Sequence, residues 1–128
     1  MSGLSDYAEN KLLDHLLGTA AYTAPTTVYI GLATASFADD NSGAELTGNN
    51  YARKSITFDS AASGATDNTS AVEFNAATGS WGSVSHFGIF DQSSGGDLLL
   101  HGEFTTPKTI ASGDVLKIDA GDLDITAD

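Results

Sequence analysis

SVSHFGIFD (residues 83–91) and DLLLHGEFTT (residues 97–106) are the stretches that decide the fold. Residues of the first stretch alternate, which is typical of a β-strand. The alternation predicts Val84, His86 and Phe90 on one face of the strand and Phe87 and Ile89 on the other. Because both faces carry apolar residues, we expect the strand to be covered on both sides. Gly88 permits the close approach of another backbone.

The two stretches are joined by DQSSGGD (residues 91–97), which predicts a hairpin turn. Gly95 and Gly96 can both adopt a positive φ at little steric cost. We therefore expect the two strands to pair antiparallel across this turn.

Further short segments with strand character follow one another along the chain. They are TTVYIGLAT (26–34), YARKSITFD (51–59), SAVEFN (70–75), DVLKIDA (114–120) and DLDIT (122–126). In the second of them Tyr51 and Arg53 fall on one face. Short strands separated by polar and glycine-rich clusters predict a mainly β fold, an antiparallel, jelly-roll-like β-sandwich of about seven or eight strands. Residues 35–50 and 60–70 are predicted to be exposed loops.

An N-terminal helix precedes the strands. Ser5 is a suitable N-cap, Asp6 and Glu9 fall in the first turn, and Gly18 can end the helix. An apolar stripe is formed by Ala8, Leu12, Leu13, Leu16 and Leu17. An isolated helix of this length is only marginally stable in water. The stripe therefore needs a partner surface, either its own sheet or a neighbouring chain. We predict a single domain over residues 1–128, with helix and linker in 1–20 and the sandwich in 26–128.

Composition excludes several classes of protein. The 128 residues include no cysteine, which excludes disulfides and thiolate metal sites. A net charge of −12 opposes binding to nucleic acid and to anionic lipid. No run is long and apolar enough for a membrane span, and the first residues lack the basic segment of an export signal. We expect no contact with nucleic acid or membrane.

Three histidines, His15, His86 and His101, are the main candidates for chemistry. If the hairpin forms, His86 and His101 lie on paired strands, where Asp91 or Glu103 would be a third metal ligand. A metal site needs three or four converging ligands with supporting contacts, and the spacing does not require this. We predict half-buried histidines with satisfied hydrogen bonds, no metal ion and no cofactor.

A Ser–His–Asp triad can be written from Ser83 or Ser85 with His86 and Asp91. Adjacent residues of a strand point to opposite faces, so Ser85 and His86 are predicted to diverge. No G-x-S-x-G elbow or phosphate loop is present. We therefore predict that the protein is not an enzyme.

Acidic segments leave weak calcium binding open as an alternative. DDNSGAE (residues 39–45) partly matches a calcium loop but lacks the regular oxygen ligands and a final glutamate at the right distance. A second acidic group is Asp119, Asp122 and Asp124.

Trp81 has two interpretations. A tryptophan at the start of a strand is most simply a core or core-edge residue. The alternative is an exposed Trp81 that contacts a partner protein or, with Tyr29 or Tyr51, stacks on a sugar.

Nearly the whole chain resembles a family of small virion proteins of tailed bacteriophages, often labelled tail fibre proteins. The resemblance is strongest in YTAPTTVYIGL (22–32), WGSVSHFGIFD (81–91) and SGDVLKIDAGDLDI (112–125). It implies a compact β-sandwich with an N-terminal helix that serves as a structural part of the virion.

Within that class, the small acidic domain favours a capsid decoration or cement protein that binds the major capsid protein or other virion proteins. We expect a homo-oligomer, assembled in the host cytoplasm, whose contact regions are the helix stripe and the loop 35–50. Many weak contacts multiplied by symmetry would supply avidity. The first alternative is a tail fibre, baseplate or tail adaptor component. The second is a module that binds carbohydrate on the host surface. The partner-binding residues themselves stay unknown at this level.

Overall fold

The computed structural model describes residues 2–127 and has the predicted mainly β architecture. The strands are β1 (Ser2–Leu4), β2 (Val28–Ala33), β3 (Lys54–Ile56), β4 (Ala65–Asp67), β5 (Val72–Glu73), β6 (Gly82–Phe90), β7 (Leu98–Ile110), β8 (Lys117–Ile118) and β9 (Asp124–Thr126). The helix α1 spans Asp6–Leu16. All strand pairs are antiparallel, and the prediction of a β-sandwich with one N-terminal helix is confirmed.

The larger layer is a five-stranded sheet in the order β1-β7-β6-β2-β3. Its centre is the predicted hairpin, in which β6 pairs with β7. Gly95 and Gly96 have φ values of +65° and +70°, as the turn requires. The backbone N–H of Asp97 donates to Asp91 Oδ1 at 2.8 Å and closes the turn. The hairpin prediction is therefore confirmed.

The edge of this sheet is a strand that the sequence analysis missed. Residues of β1 pair with β7, with Gly3 opposite His101. The chain then turns directly into α1 at Ser5, whose backbone N–H donates to Leu99 O at 2.9 Å. The N-terminal segment thus belongs to the sheet as well as to the helix.

The second layer consists of two short ribbons, β4–β9 and β5–β8, instead of the continuous sheet of a jelly roll. The interval 60–70, predicted to be a loop, contains β4, so that prediction is wrong in part. Buried Asn68 holds this region together, because its side chain bonds to the backbone of Ser70, Asp119 and Leu123. The ribbon β4–β9 could not be predicted from the alternation of apolar and polar residues, because polar side chains satisfy its backbone groups.

The main core lies between the two layers. Its buried members include Ile30, Leu32, Ile56, Val72, Phe74, Trp81, Val84, Phe87, Ile89, Ile110, Leu116, Ile118 and Leu123. A smaller cluster on the opposite face of the large sheet contains Ala33, Phe37, Phe90 and Leu98. The expectation that the central strand is covered on both sides is confirmed.

One facing assignment in β6 is wrong. Val84 is buried in the main core with Phe87 and Ile89, although it was predicted to share a face with His86. A register irregularity between Val84 and His86 breaks the alternation at that point. Gly88 lies between Gly31 of β2 and His101 of β7, and a Cβ there would come within 2.9 Å of Leu98 Cδ1.

Candidate interaction surfaces

The helix α1 presents its leucines to the exterior. Leu13, Leu16 and Leu17 are 55%, 68% and 74% exposed, and none of the residues of the helix is buried. The helix begins as predicted: Ser5 Oγ accepts from the Ala8 N–H at 3.1 Å and donates to the Leu98 carbonyl. It ends at Leu16, with Leu17 as C-cap, and Gly18 follows with a φ of +80°. The chain's own sheet therefore covers only part of the stripe, at the half-buried Ala8, and leaves the leucines exposed.

A groove runs along the inner side of α1. Its lining residues are Leu4, Ala8, Lys11, Leu12, His15, Tyr22, Ala24, Pro25, Val28 and Leu99, and its volume is about 410 Å³. Lys11 and His15 are the basic side chains of this lining, and no acid lines it.

Most residues of the loop 35–50 are exposed, as predicted, but the loop is fixed to the sheet at a few positions. Phe37 is fully buried, and its ring meets Phe90 edge to face at a centroid distance of 5.6 Å. Backbone bonds close the loop, from Gly43 N–H to Phe37 O and from Leu46 N–H to Leu32 O, both 2.9 Å. Only parts of this segment remain available to a partner.

A polar network next to that loop reinforces the attachment. Glu45 receives hydrogen bonds from Arg53 and from the Tyr51 hydroxyl, and the Arg53 Nη2 to Glu45 Oε1 distance is 2.8 Å. Arg53 Nη1 also donates to the carbonyls of Gln92 and Gly95 in the hairpin turn, at 2.9 and 2.8 Å. Burial, and then the hydrogen bond to Glu45, raises the pKa of Tyr51 well above its ordinary value.

Arg53 also covers the small cluster, since its guanidinium carbon lies 3.5 Å from the centroid of the Phe90 ring. The side chain is only 8% exposed. Tyr51 and Arg53 were predicted to share a face, whereas Glu45 was not predicted as their partner. The glutamate lies in a segment without periodicity, which gave no indication of its neighbours.

The histidines are held by separate partners. His86 Nδ1 lies 2.7 Å from Ser85 Oγ, and His101 Nε2 lies 2.8 Å from Asp39 Oδ1. His15 is exposed, and its Nδ1 accepts from the Tyr22 N–H at 3.1 Å. The prediction of half-buried, hydrogen-bonded histidines is confirmed for His86 and His101.

Ser85 and His86 meet, although they were predicted to diverge, because the irregularity in β6 interrupts the alternation of side chains. The third member of the postulated triad is elsewhere. Asp91 accepts the Asp97 N–H inside the hairpin turn, so the structure does not bring the three residues together.

The acidic segments form no metal cage within residues 2–127, where no group of three or more His, Cys, Asp or Glu is placed to hold an ion. Asp40 accepts the backbone N–H of Ser42 at 2.9 Å. Hydrogen bonding to the Ser42 side chain, and then to its backbone, lowers the pKa of the Asp40 carboxyl. Asp119 has Lys117 Nζ at 3.7 Å.

Trp81 is a core residue, as the simpler interpretation predicted. Its side chain is 5% exposed, its Nε1 donates to Asn49 O at 3.0 Å, and its ring meets Tyr51 edge to face. An exposed aromatic strip built on Trp81 is therefore not present, and the carbohydrate-binding alternative loses the feature that motivated it.

Residues 3–126 match the protein family described as Podophage GP4 fiber I protein gp80. This match covers nearly the whole chain, so the protein belongs to that family and is a structural protein of the phage virion, of the fibre type. The resemblance drawn from the sequence is confirmed. No curated protein matches the chain. The helix of the described residues is too short and too polar to span a membrane.

Proposed function

We propose that this chain is a non-enzymatic component of a podophage tail fibre that works by binding other virion proteins. The observation that carries the proposal is the match to a fibre family over residues 3–126. Because the match leaves out only the ends of the chain, the whole sandwich with its helix is the unit that the family shares.

The side chains with catalytic potential support a non-enzymatic role. His101 is bonded to Asp39, His86 to Ser85, and Asp91 closes a turn. The His101–Asp39 hydrogen bond joins the loop 35–50 to β7 and the Asp91 bond closes the hairpin turn, whereas the His86–Ser85 bond stays within β6.

A location in the tail replaces the capsid decoration that the sequence favoured. Small size and acidity suit both locations, so neither property separates them. The family is described as a fibre protein, and that description favours the first alternative over decoration of the capsid.

Cryo-electron microscopy of purified virions, combined with quantitative mass spectrometry, tests the location. We expect the fold to fit density of a tail fibre, with far fewer copies than the major capsid protein. Tailless capsids of the same phage are the matched control and should lack the chain. If the chain coats the capsid lattice and persists on tailless capsids, the fibre proposal is wrong.

A further inference from the structure

We propose that residues 2–16, which contain β1 and α1, are a strap that opens as one unit from the edge of β7 while the rest of the sandwich stays folded. We call this segment the N-terminal strap. The inference goes beyond the fibre assignment, and it does not depend on where in the virion the chain is located.

The first attachment of the N-terminal strap is its pairing with β7. The strand β1 has three residues, and it pairs with β7 from Leu100 to Gly102. Ser5 extends this contact, because its backbone N–H donates to Leu99 O at 2.9 Å and its hydroxyl donates to the Leu98 carbonyl. The strand also lies close to β9 of the second layer. So short an edge strand is held by few hydrogen bonds, so it separates at a lower free energy than the central strands.

The helix adds little to this attachment. None of its residues is buried, and the groove of about 410 Å³ beside it is lined by residues of both the helix and the sheet. In its first turn the Asp6 N–H donates to Asp39 O at 2.9 Å. Within residues 2–127, no hydrogen bond joins residues 8–16 to the sheet. Once β1 has separated from β7, little else holds the helix, so the two elements leave together.

The segment after the helix does not tie the strap to the sandwich. Most of residues 17–27 are exposed. The Thr19 N–H donates back to Asp14 O at 2.9 Å. The Tyr22 N–H likewise donates to His15 Nδ1 at 3.1 Å. Because these bonds lead into the helix, the segment leaves the strap free to open.

Opening of the strap changes what β7 presents to its surroundings. In the closed form, β1 and Ser5 satisfy backbone groups of β7 on the side that faces away from β6. In the open form these groups are unpaired, while β7 stays paired with β6 on its other side. An unpaired strand edge is a template for pairing with another extended chain. The strap therefore protects an edge of the sheet when it is closed and makes that edge available when it opens.

Hydrogen exchange of the intact, dilute protein at low urea concentrations tests whether the strap opens as one unit. The amides of α1, Ser5 and Asp6 should open with one common free energy and one urea dependence. Their protection should be at least about 100-fold below that of the amides between β6 and β7. The proposal is overturned if Ser5 and Asp6 are as protected as the amides between β6 and β7, since the helix would then fray alone.

A disulfide between β1 and β7 provides a second test, since the chain has no cysteine of its own. Leu4 and Leu100 are directly opposite each other. Opposite residues of antiparallel strands have Cα atoms about 4.5–5.5 Å apart, which a disulfide can span. In the variant Leu4→Cys with Leu100→Cys, oxidation should raise the protection of the Ser5 and Asp6 amides at least about tenfold, and reduction should reverse the change.

Tyr29→Cys with Ser55→Cys is the matched control, because these two residues are opposite each other in β2 and β3, away from the strap. Mass spectrometry verifies that each disulfide has formed, and the control disulfide should leave the protection of the strap unchanged. Equal effects of the two disulfides would show that Ser5 and Asp6 open only with the whole fold. No effect of the first disulfide would show that opening does not separate β1 from β7. Either result overturns the proposal.

Discussion

The loop 35–50 is attached to the fold more firmly than its composition suggests, and the helix α1 less firmly. The loop is polar and without periodicity, yet Phe37 is fully buried and Glu45 is held by Arg53. The helix is rich in leucine, yet it buries none of its residues.

This difference shows that the attachment of a segment depends on which backbone hydrogen bonds it makes and on where its few large side chains are buried. One buried aromatic and one satisfied ion pair fix a loop of polar residues. The helix is attached chiefly at its start, where Ser5 bonds to the backbone of Leu98 and Leu99. The loop therefore belongs to the folding unit, and the helix has apolar area left over for a partner.

Removing the loop's buried aromatic should have the largest effect. Phe37→Ala leaves a cavity beside Phe90 and Leu98, so we expect the free energy of unfolding to fall by about 3–5 kcal/mol. Urea denaturation monitored by Trp81 fluorescence measures this change. A loss below about 1 kcal/mol, typical of surface positions, would mean that the loop is not part of the core.

Removing the loop's carboxylate should have the next largest effect. Glu45→Ala leaves the nearly buried Arg53 without its carboxylate, and we expect a loss of about 2–3 kcal/mol in the same assay. The control is the double variant Glu45→Ala with Arg53→Met. If the two single losses simply add in the double variant, the residues are not coupled as the structure indicates.

Gly88 lies where the loop 35–50 packs on the sheet, so a substitution there tests how tightly the small cluster is packed. In Gly88→Ala the new Cβ would approach Phe37 Cε2 to 3.2 Å and Leu98 Cδ1 to 2.9 Å. We expect overpacking to cost about 1–2 kcal/mol. A stability equal to that of the parent would show that the small cluster is looser than described.

The leucines of the helix should have the smallest effect on stability. Leu16→Ala, measured by urea denaturation of dilute protein, should change the free energy of unfolding by about 0.5 kcal/mol or less, because the side chain is 68% exposed. A loss comparable to that of Phe37→Ala would show that Leu16 packs within its own chain and would remove the contrast.

The sequence predicts those parts of the fold in which local signals agree with the packing. Alternation, paired glycines and a serine cap identified β6, β7, their turn and α1. The strand β1 was missed because three residues carry no periodicity, and β4 because Asn68 stabilises its ribbon through side-chain bonds to the backbone.

The contacts of Glu45 and Phe37 were out of reach for a similar reason. Both contacts join an irregular segment to residues far away in the sequence, and no local sequence pattern predicts such contacts. The expected division of Ser85 and His86 failed because a single register irregularity reverses the facing of side chains on a strand.

Hydrogen exchange of the dilute protein tests the contrast between loop and helix most directly. The loop amides of Gly43 and Leu46, which are bonded to Phe37 and Leu32, should be strongly protected. The amides of α1 should exchange much faster, because the helix buries none of its residues. Protection of α1 equal to that of the loop amides, or rapid exchange of the loop amides, would contradict this account.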